Sequence, residues 1–148
     1  MQLTRFTDFG LRVLMYLAAA PRDVPATIPE IADRFAISRN HLVKVVHFMA
    51  QQGWIVTTRG KGGGLRLARP AAELRLGAVV RALEPAHALI DCAEPPCALR
   101  GGCRLKGVLD AAEDAFYARL DAVTLADLVA APTGPAIVKL HGVALPQD

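Results

Sequence analysis

The sequence predicts a mainly α-helical fold carrying one small β-hairpin, and three observations point there. Of the 148 residues, 53% are hydrophobic, 26 are alanine and only 5% are aromatic, a balance that favours packed helices over a sandwich or barrel. Apolar residues recur at helical spacing through most of the chain. One stretch, from Trp54 to Leu67, instead alternates as strands do around a glycine-rich turn. A chain of this length makes one compact domain, or one small domain with a dimerising extension.

The elements follow in order. Thr7 or a neighbour caps a first helix, with Asp8 in its first turn and Phe9, Val13, Leu14 and Leu17 on its apolar face. Pro21 and Pro25 interrupt the chain. A short helix spans Ile28 to Phe35, with Thr27 as cap, Pro29 in the first turn and Glu30 at the capping-box position. Ser38 caps a longer helix from Arg39 to about Gln52, with Leu42, Val45, Val46 and Met49 inward and Gly53 as its stop. Trp54 to Thr58 and Leu65 to Leu67 pair as a hairpin around the tip Arg59-Gly60-Lys61-Gly62-Gly63-Gly64. A short helix follows over Leu76 to Leu83, and then a proline- and glycine-rich loop. A long amphipathic helix runs from about Cys103 to Asp121, with Leu105, Val108, Leu109, Ala112, Phe116 and Leu120 on one stripe. Thr124 caps a last short helix to Val129, and the segment from Pro132 reads as a loose tail.

Two helices joined by a tight turn and followed by a basic hairpin form a winged helix-turn-helix, assigned here to residues 1–83. The second helix opens Ser38-Arg39-Asn40-His41, with Lys44 one turn on. Arg39 and Asn40 can pair with guanine or adenine edges in the major groove, while Ser38 and Lys44 suit phosphates. His41, in the same first turn, is a further candidate for DNA contact. The wing offers Arg59, Lys61 and Arg66 among four glycines, so a cation can enter the minor groove where backbone approaches closely. Charge agrees: residues 1–70 carry ten Lys/Arg against four Asp/Glu, whereas residues 71–148 carry seven against ten. Double-stranded DNA is the expected partner of the first half.

The chain's three cysteines, Cys92, Cys97 and Cys103, lie within twelve residues as C-x4-C-x5-C in the loop 84–103. An odd number cannot all pair as disulfides, and three soft donors on one loop make a metal or cluster site short of one ligand. Zinc on the same thiolates is a chemical competitor, although the usual C-x2-C pair is missing. A redox disulfide such as Cys92 with Cys97 is another. His87, Asp91 and Glu94 lie close enough in sequence to supply a further donor.

The long helix, in the segment 104–131, carries more apolar stripe than a lone helix can bury, so pairing with a second copy is expected; residues 132–148 are read as a flexible tail. The N-terminus lacks a secretory pattern and no apolar run approaches membrane-spanning length, which points to the cytoplasm. No G-x-S-x-G, G-K-[ST] or H-E-x-x-H motif is present, and the wing glycines sit between strands rather than before a helix, so an enzyme is not expected.

In LTRFTDFGLRVLMYLA, SRNHLVKVV, TRGKGGGLRL, GAVVRALEP, the spaced cysteines with CRLK, and DAVTLADLV, the chain resembles a known family over residues 2–130. That family is the nitric-oxide-sensing repressors called NsrR, within the wider winged-helix group that includes the iron–sulfur regulator IscR. The resemblance implies a homodimer with one iron–sulfur cluster per subunit, 2Fe–2S or 4Fe–4S, held by Cys92, Cys97 and Cys103. IscR-like members complete the set with a histidine three residues after the last cysteine; here that position is Lys106. NsrR-like members use an aspartate of the first helix, lent across the dimer, and the matching residue is Asp8. An oxygen donor is the poorest match for iron in that set and the most readily displaced. The resemblance therefore implies a repressor released from palindromic operator DNA when nitric oxide attacks the cluster, at promoters of nitric-oxide detoxification genes. An iron- or cluster-status-responsive repressor of the same family is the alternative.

Overall fold

The computed structural model describes residues 2–19, 23–85 and 88–142. Helix α1 (Arg5–Ala18) is the hub, touching α3, α4, α6, α7 and the wing. Its cap is Thr4, not Thr7: the Thr4 hydroxyl accepts from the Thr7 N–H at 3.3 Å, and Thr7 is turned fully inside. Val13, Leu14 and Tyr16 are buried, while Phe9 and Leu17 pack at the edge of the core. Helix α2 (Ile28–Phe35) has the expected capping box, with Thr27 and Glu30 exchanging hydrogen bonds of 3.2 and 3.3 Å. Glu30 also accepts from the Tyr16 hydroxyl at 2.6 Å, which ties α2 to α1.

The turn into α3 (Arg39–Gln51) rests on Ala36 in the left-handed region, φ 51° and ψ 45°. A Cβ there costs about 1–2 kcal/mol. Glycine relieves that strain but frees the unfolded chain, so Ala36→Gly is expected to stabilise the protein by about 0.5–1 kcal/mol. The denaturant midpoint should rise with an unchanged slope. Helix α3 ends as the sequence indicates, through Gly53 at φ 68°, with Gly53 N–H on the Ala50 carbonyl and Trp54 N–H on that of Met49. Leu42, Val45, Val46 and Met49 are buried as expected.

The hairpin β1 (Ile55–Thr58) and β2 (Gly64–Leu67) pairs antiparallel from Ile55 with Leu67 to Thr58 with Gly64. A one-residue third lane, missed in the sequence, joins it: Ala26 and Leu65 exchange backbone hydrogen bonds of 3.2 and 2.7 Å. This fixes the wing to the segment entering α2. After a 3-10 turn (Ala71–Glu73), α4 (Leu76–Leu83) lies against α1, where Gly10 leaves room for Leu83.

Helix α5 (Arg104–Asp121) has no buried residue. Its C-terminal end is joined to α4: Arg81 makes a two-pronged ion pair with Asp121 at 2.7 and 2.8 Å and stacks 4.3 Å over Tyr117. That hydrogen bond raises the Arg81 pKa and lowers that of Asp121. Gly77 makes the contact possible, since a Cβ there would run into the Asp121 carboxylate. Elsewhere on the stripe Leu109, Phe116 and Leu120 are half-buried, while Leu105 and Val108 are 56% and 66% exposed.

Beyond α5 the chain returns to the first domain. Leu76 N–H donates to the Val123 carbonyl and Leu125 N–H to that of Leu74, and Leu125 of α6 (Leu125–Leu128) is buried. The segment read as a loose tail forms α7 (Thr133–Gly142) over its described part. Ile137 is buried, and the His141 ring meets Tyr16 edge-on at 4.4 Å with Nε2 3.3 Å from the Tyr16 carbonyl. Its apolar residues find a face on α1, which stabilises what local sequence leaves undecided. Among the described residues no helix is long and apolar enough to cross a membrane.

Candidate DNA-binding surface and cysteine site

The outer face of α3 carries Arg39, Asn40, His41 and Lys44, all exposed, as is Ser38 before them. Ser38 occupies the capping position but its side chain makes no cap hydrogen bond, contrary to expectation. Arg39 reaches Asp33 at 3.5 Å; both side chains are more than 60% exposed, so the pair is weak and the guanidinium stays available. His41 leans on α1, its ring 6.1 Å from that of Phe9. The two helices enclose there a small apolar cavity of about 320 Å³ lined by Arg5, Phe6, Phe9, His41, Lys44 and Val45. Arg5 thus lines the same cavity as Lys44, a cation not foreseen from the sequence.

Val43 was also passed over. It is 52% exposed in the middle of the polar face, four residues from Arg39 and four from His47. Helical spacing alone aligns those three, and an apolar group there is chemically suited to a thymine methyl. His47 lines a groove of about 510 Å³ between α3 and the wing, together with Thr57, Thr58 and Arg59.

At the wing tip Arg59 and Lys61 are exposed, and Gly60 and Gly62 take φ of 93° and 78° that other residues resist. A side chain on Gly63 would strike the Thr58 carbonyl, so the tip needs its glycines. Arg66 is directed elsewhere: its Nη2 donates to the Asp23 carbonyl at 2.7 Å, which braces the wing against the segment before α2.

The three cysteines are free thiols, each half-buried, and all line one cavity of about 750 Å³ with Asp91, Arg100 and Lys106. Backbone bonds shape the loop: Cys97 N–H on the Cys92 carbonyl at 3.2 Å, and Arg100 N–H on that of Cys97 at 3.1 Å. Among the described residues no three Cys, His, Asp or Glu side chains converge closely enough to hold a metal ion. The donor set still fits an iron–sulfur cluster, being three unpaired soft ligands opening on one space walled by two cations. Lys106 donates to both Asp110 oxygens at 2.7 Å, a bond that raises its pKa and keeps it an ammonium. It cannot act as a ligand in that form.

Asp8 is half-exposed on α1 and paired with Arg12 Nε at 2.9 Å. Glu94 is exposed on the cysteine loop, and His87 lies outside the described residues.

A model of the Rrf2 family, described as an iron-dependent transcriptional regulator, matches residues 3–131. The crystal structure of Staphylococcus aureus CymR is 27% identical, over 85% of this chain and 96% of its own, with a TM-score of 0.69. CymR of B. subtilis, titled its global cysteine regulator, is 23% identical over 87% of this chain and 96% of its own, at 0.72. IscR of T. potens is 20% identical over 99% and 94%, at 0.70. The last two likenesses are of fold. The match to nearly the whole described chain carries the assignment: this protein belongs to the Rrf2 family of transcriptional regulators.

Proposed function

We propose that this chain is a homodimeric cytoplasmic repressor whose grip on palindromic operator DNA depends on an iron–sulfur cluster, with nitric oxide as the signal. One observation carries the reading: three free thiols face a single cavity in a chain that also presents a basic helix-turn-helix. In this reading residues 1–83 bind DNA, the loop 84–103 holds the cluster, and the stripe of α5 within 104–131, none of it fully buried, pairs two subunits.

Arg39 and Asn40 read base edges, Val43 meets a thymine methyl, and Ser38, Lys44 and Arg5 hold phosphates. Arg59 and Lys61 enter the minor groove, while Arg66 keeps the wing in place through Asp23. Cys92, Cys97 and Cys103 hold the cluster, and Asp8 of the partner subunit completes the set. When bound, the cluster supplies iron sites open to nitric oxide at the weakest ligand. The Asp8 carboxylate can serve two partners, Arg12 within its own helix and iron across the dimer, and losing one favours the other. Lys106 and Arg100 offset negative charge in the cavity. Derepression of nitric-oxide detoxification genes follows from release of the operator.

The iron dependence for which the family is known favours a second reading, a repressor responsive to iron or cluster status. The test is anaerobic. Protein reconstituted with ferrous iron and sulfide is used to select duplexes from a random-sequence pool, and affinity for the winner is then followed during nitric oxide or chelator addition. Release by stoichiometric nitric oxide supports the first reading. Release by chelator alone supports the second, and equal affinity of loaded and stripped protein rejects both.

A further inference from the structure

We infer that Glu84 is a positioning residue that couples the cysteine loop of each subunit to the recognition helix of the same subunit, through the N-terminus of α1. The inference rests on the cluster-dependent reading above, but it concerns a connection within one chain rather than the loan of Asp8 between chains.

Glu84 stands at a junction. It closes α4, its N–H on the Val80 carbonyl at 2.9 Å, and the chain leaves it directly into the cysteine loop. Its Oε1 accepts two hydrogen bonds from one residue, Thr4 N–H at 2.7 Å and Thr4 Oγ1 at 3.0 Å. Thr4 is the N-cap of α1, and its hydroxyl in turn accepts from the Thr7 N–H. A carboxylate held against the N-terminal turn of a helix is favoured by the helix dipole as well as by the hydrogen bonds. Charge-assisted bonds of this kind are stronger than neutral ones, and the half-buried Glu84 is less screened than a surface acid.

What α1 does next makes the clasp more than a brace. The neighbouring Leu83 packs on Gly10, where an added Cβ would lie 2.9 Å from a leucine methyl, so the end of α4 and α1 move together. Two phenylalanines then carry α1 onto the recognition helix. Phe6 meets Phe48 edge-on at 5.6 Å, and Phe9 lies 6.1 Å from the His41 ring in the DNA-facing first turn. The Thr4 carbonyl also accepts from the Asp8 N–H at 3.0 Å, so the turn that Glu84 anchors is the one that carries Asp8. From the root of the cysteine loop to His41, each step is thus a contact between neighbours. Such a chain acts as a relay only if both ends bias one equilibrium, which a coupling measurement decides.

The measurement is the ratio of operator affinities between protein reconstituted with iron and sulfide and cofactor-free protein, on a duplex selected by the wild type. The wild type should show a ratio in the usual span of coupling, roughly 5–150-fold. In Glu84→Ala that ratio should fall towards one, with iron and sulfide content per chain and dimer mass unchanged. Glu84→Gln keeps a carbonyl acceptor and should retain most of the ratio. In the cofactor-free chain, Glu84→Ala should also speed amide exchange at Thr4 and Thr7 and shift the His41 ring resonances. If Glu84→Ala does not fold, Thr4→Val, which removes the hydroxyl and keeps the shape, should lower the ratio in the same direction. Equal weakening of both forms, leaving the ratio intact, overturns the inference while sparing the functional reading. A wild-type ratio of one overturns the functional reading itself.

Discussion

Cys97→Ala should leave a folded dimer that takes up no stable iron–sulfur cluster. The loop conformation around Cys97 is set by its backbone, which donates to the Cys92 carbonyl and accepts from Arg100, and alanine retains both bonds. What disappears is one of three thiols on the shared cavity. Two thiolates and one carboxylate are a poor set for iron clusters, which depend on cysteine for most of their ligands. Anaerobic reconstitution of the variant should therefore give near-background iron and sulfide per chain and no visible charge-transfer absorption. Asp8→Ala should behave differently, because it leaves all three thiols. It should load, lose its cofactor faster in air, and show an altered Mössbauer spectrum. If Asp8→Ala matches the wild type in all of these, the fourth ligand is another group.

Arg39→Ala should lower operator affinity by about 2–6 kcal/mol per dimer, since each good two-pronged base contact contributes about 1–3 kcal/mol and a dimer makes two. The side chain is well placed for this, exposed in the first turn of α3 and restrained only by a weak 3.5 Å pairing with Asp33. Stability should hardly change, because exposed ion pairs contribute little. Lys61→Ala should act differently. It should weaken binding to all sequences alike and flatten the salt dependence by about one unit per half-site. A mobility-shift series over salt concentration separates the two, and full affinity in both variants would remove this face from the DNA.

Much of the fold was legible because local chemistry and tertiary packing agree. Thr27, Pro29 and Glu30 announce α2, Gly53 ends α3, and the change of period at Trp54 marks the wing. Elements were missed where a distant surface decides. A single residue, Ala26, has no strand pattern of its own and joins the wing only because Leu65 is brought alongside. Helix α7 was hidden by Pro132, Gly134 and Pro135, which read as loop. Yet proline in a first turn sacrifices only an N–H that has no helical partner, and Gly134 fits under the Val129 carbonyl. The signal was Ile137 and Leu140 at helical spacing, with α1 supplying their face.

The site was legible in kind and less so in placement. Spacing marks Arg39, Lys44 and Lys61 as candidates, but it cannot say that Arg66 turns to the Asp23 carbonyl. Nor can it say that Ser38 makes no cap bond or that Arg5 shares a cavity with Lys44. Val43 could have been found, since an apolar residue off the core stripe of a recognition helix is visible in the sequence.

The contact between His141 and Tyr16 joins residues 125 positions apart, and buried Leu125 and Ile137 likewise come from late in the chain. The first half of the chain therefore cannot reach its final packing until residues 125–141 have come back to α1. Long-range closure of this kind slows folding, because loop entropy is lost before the contact forms. The helix-turn-helix of this chain therefore reaches its final shape no sooner than that slow closure.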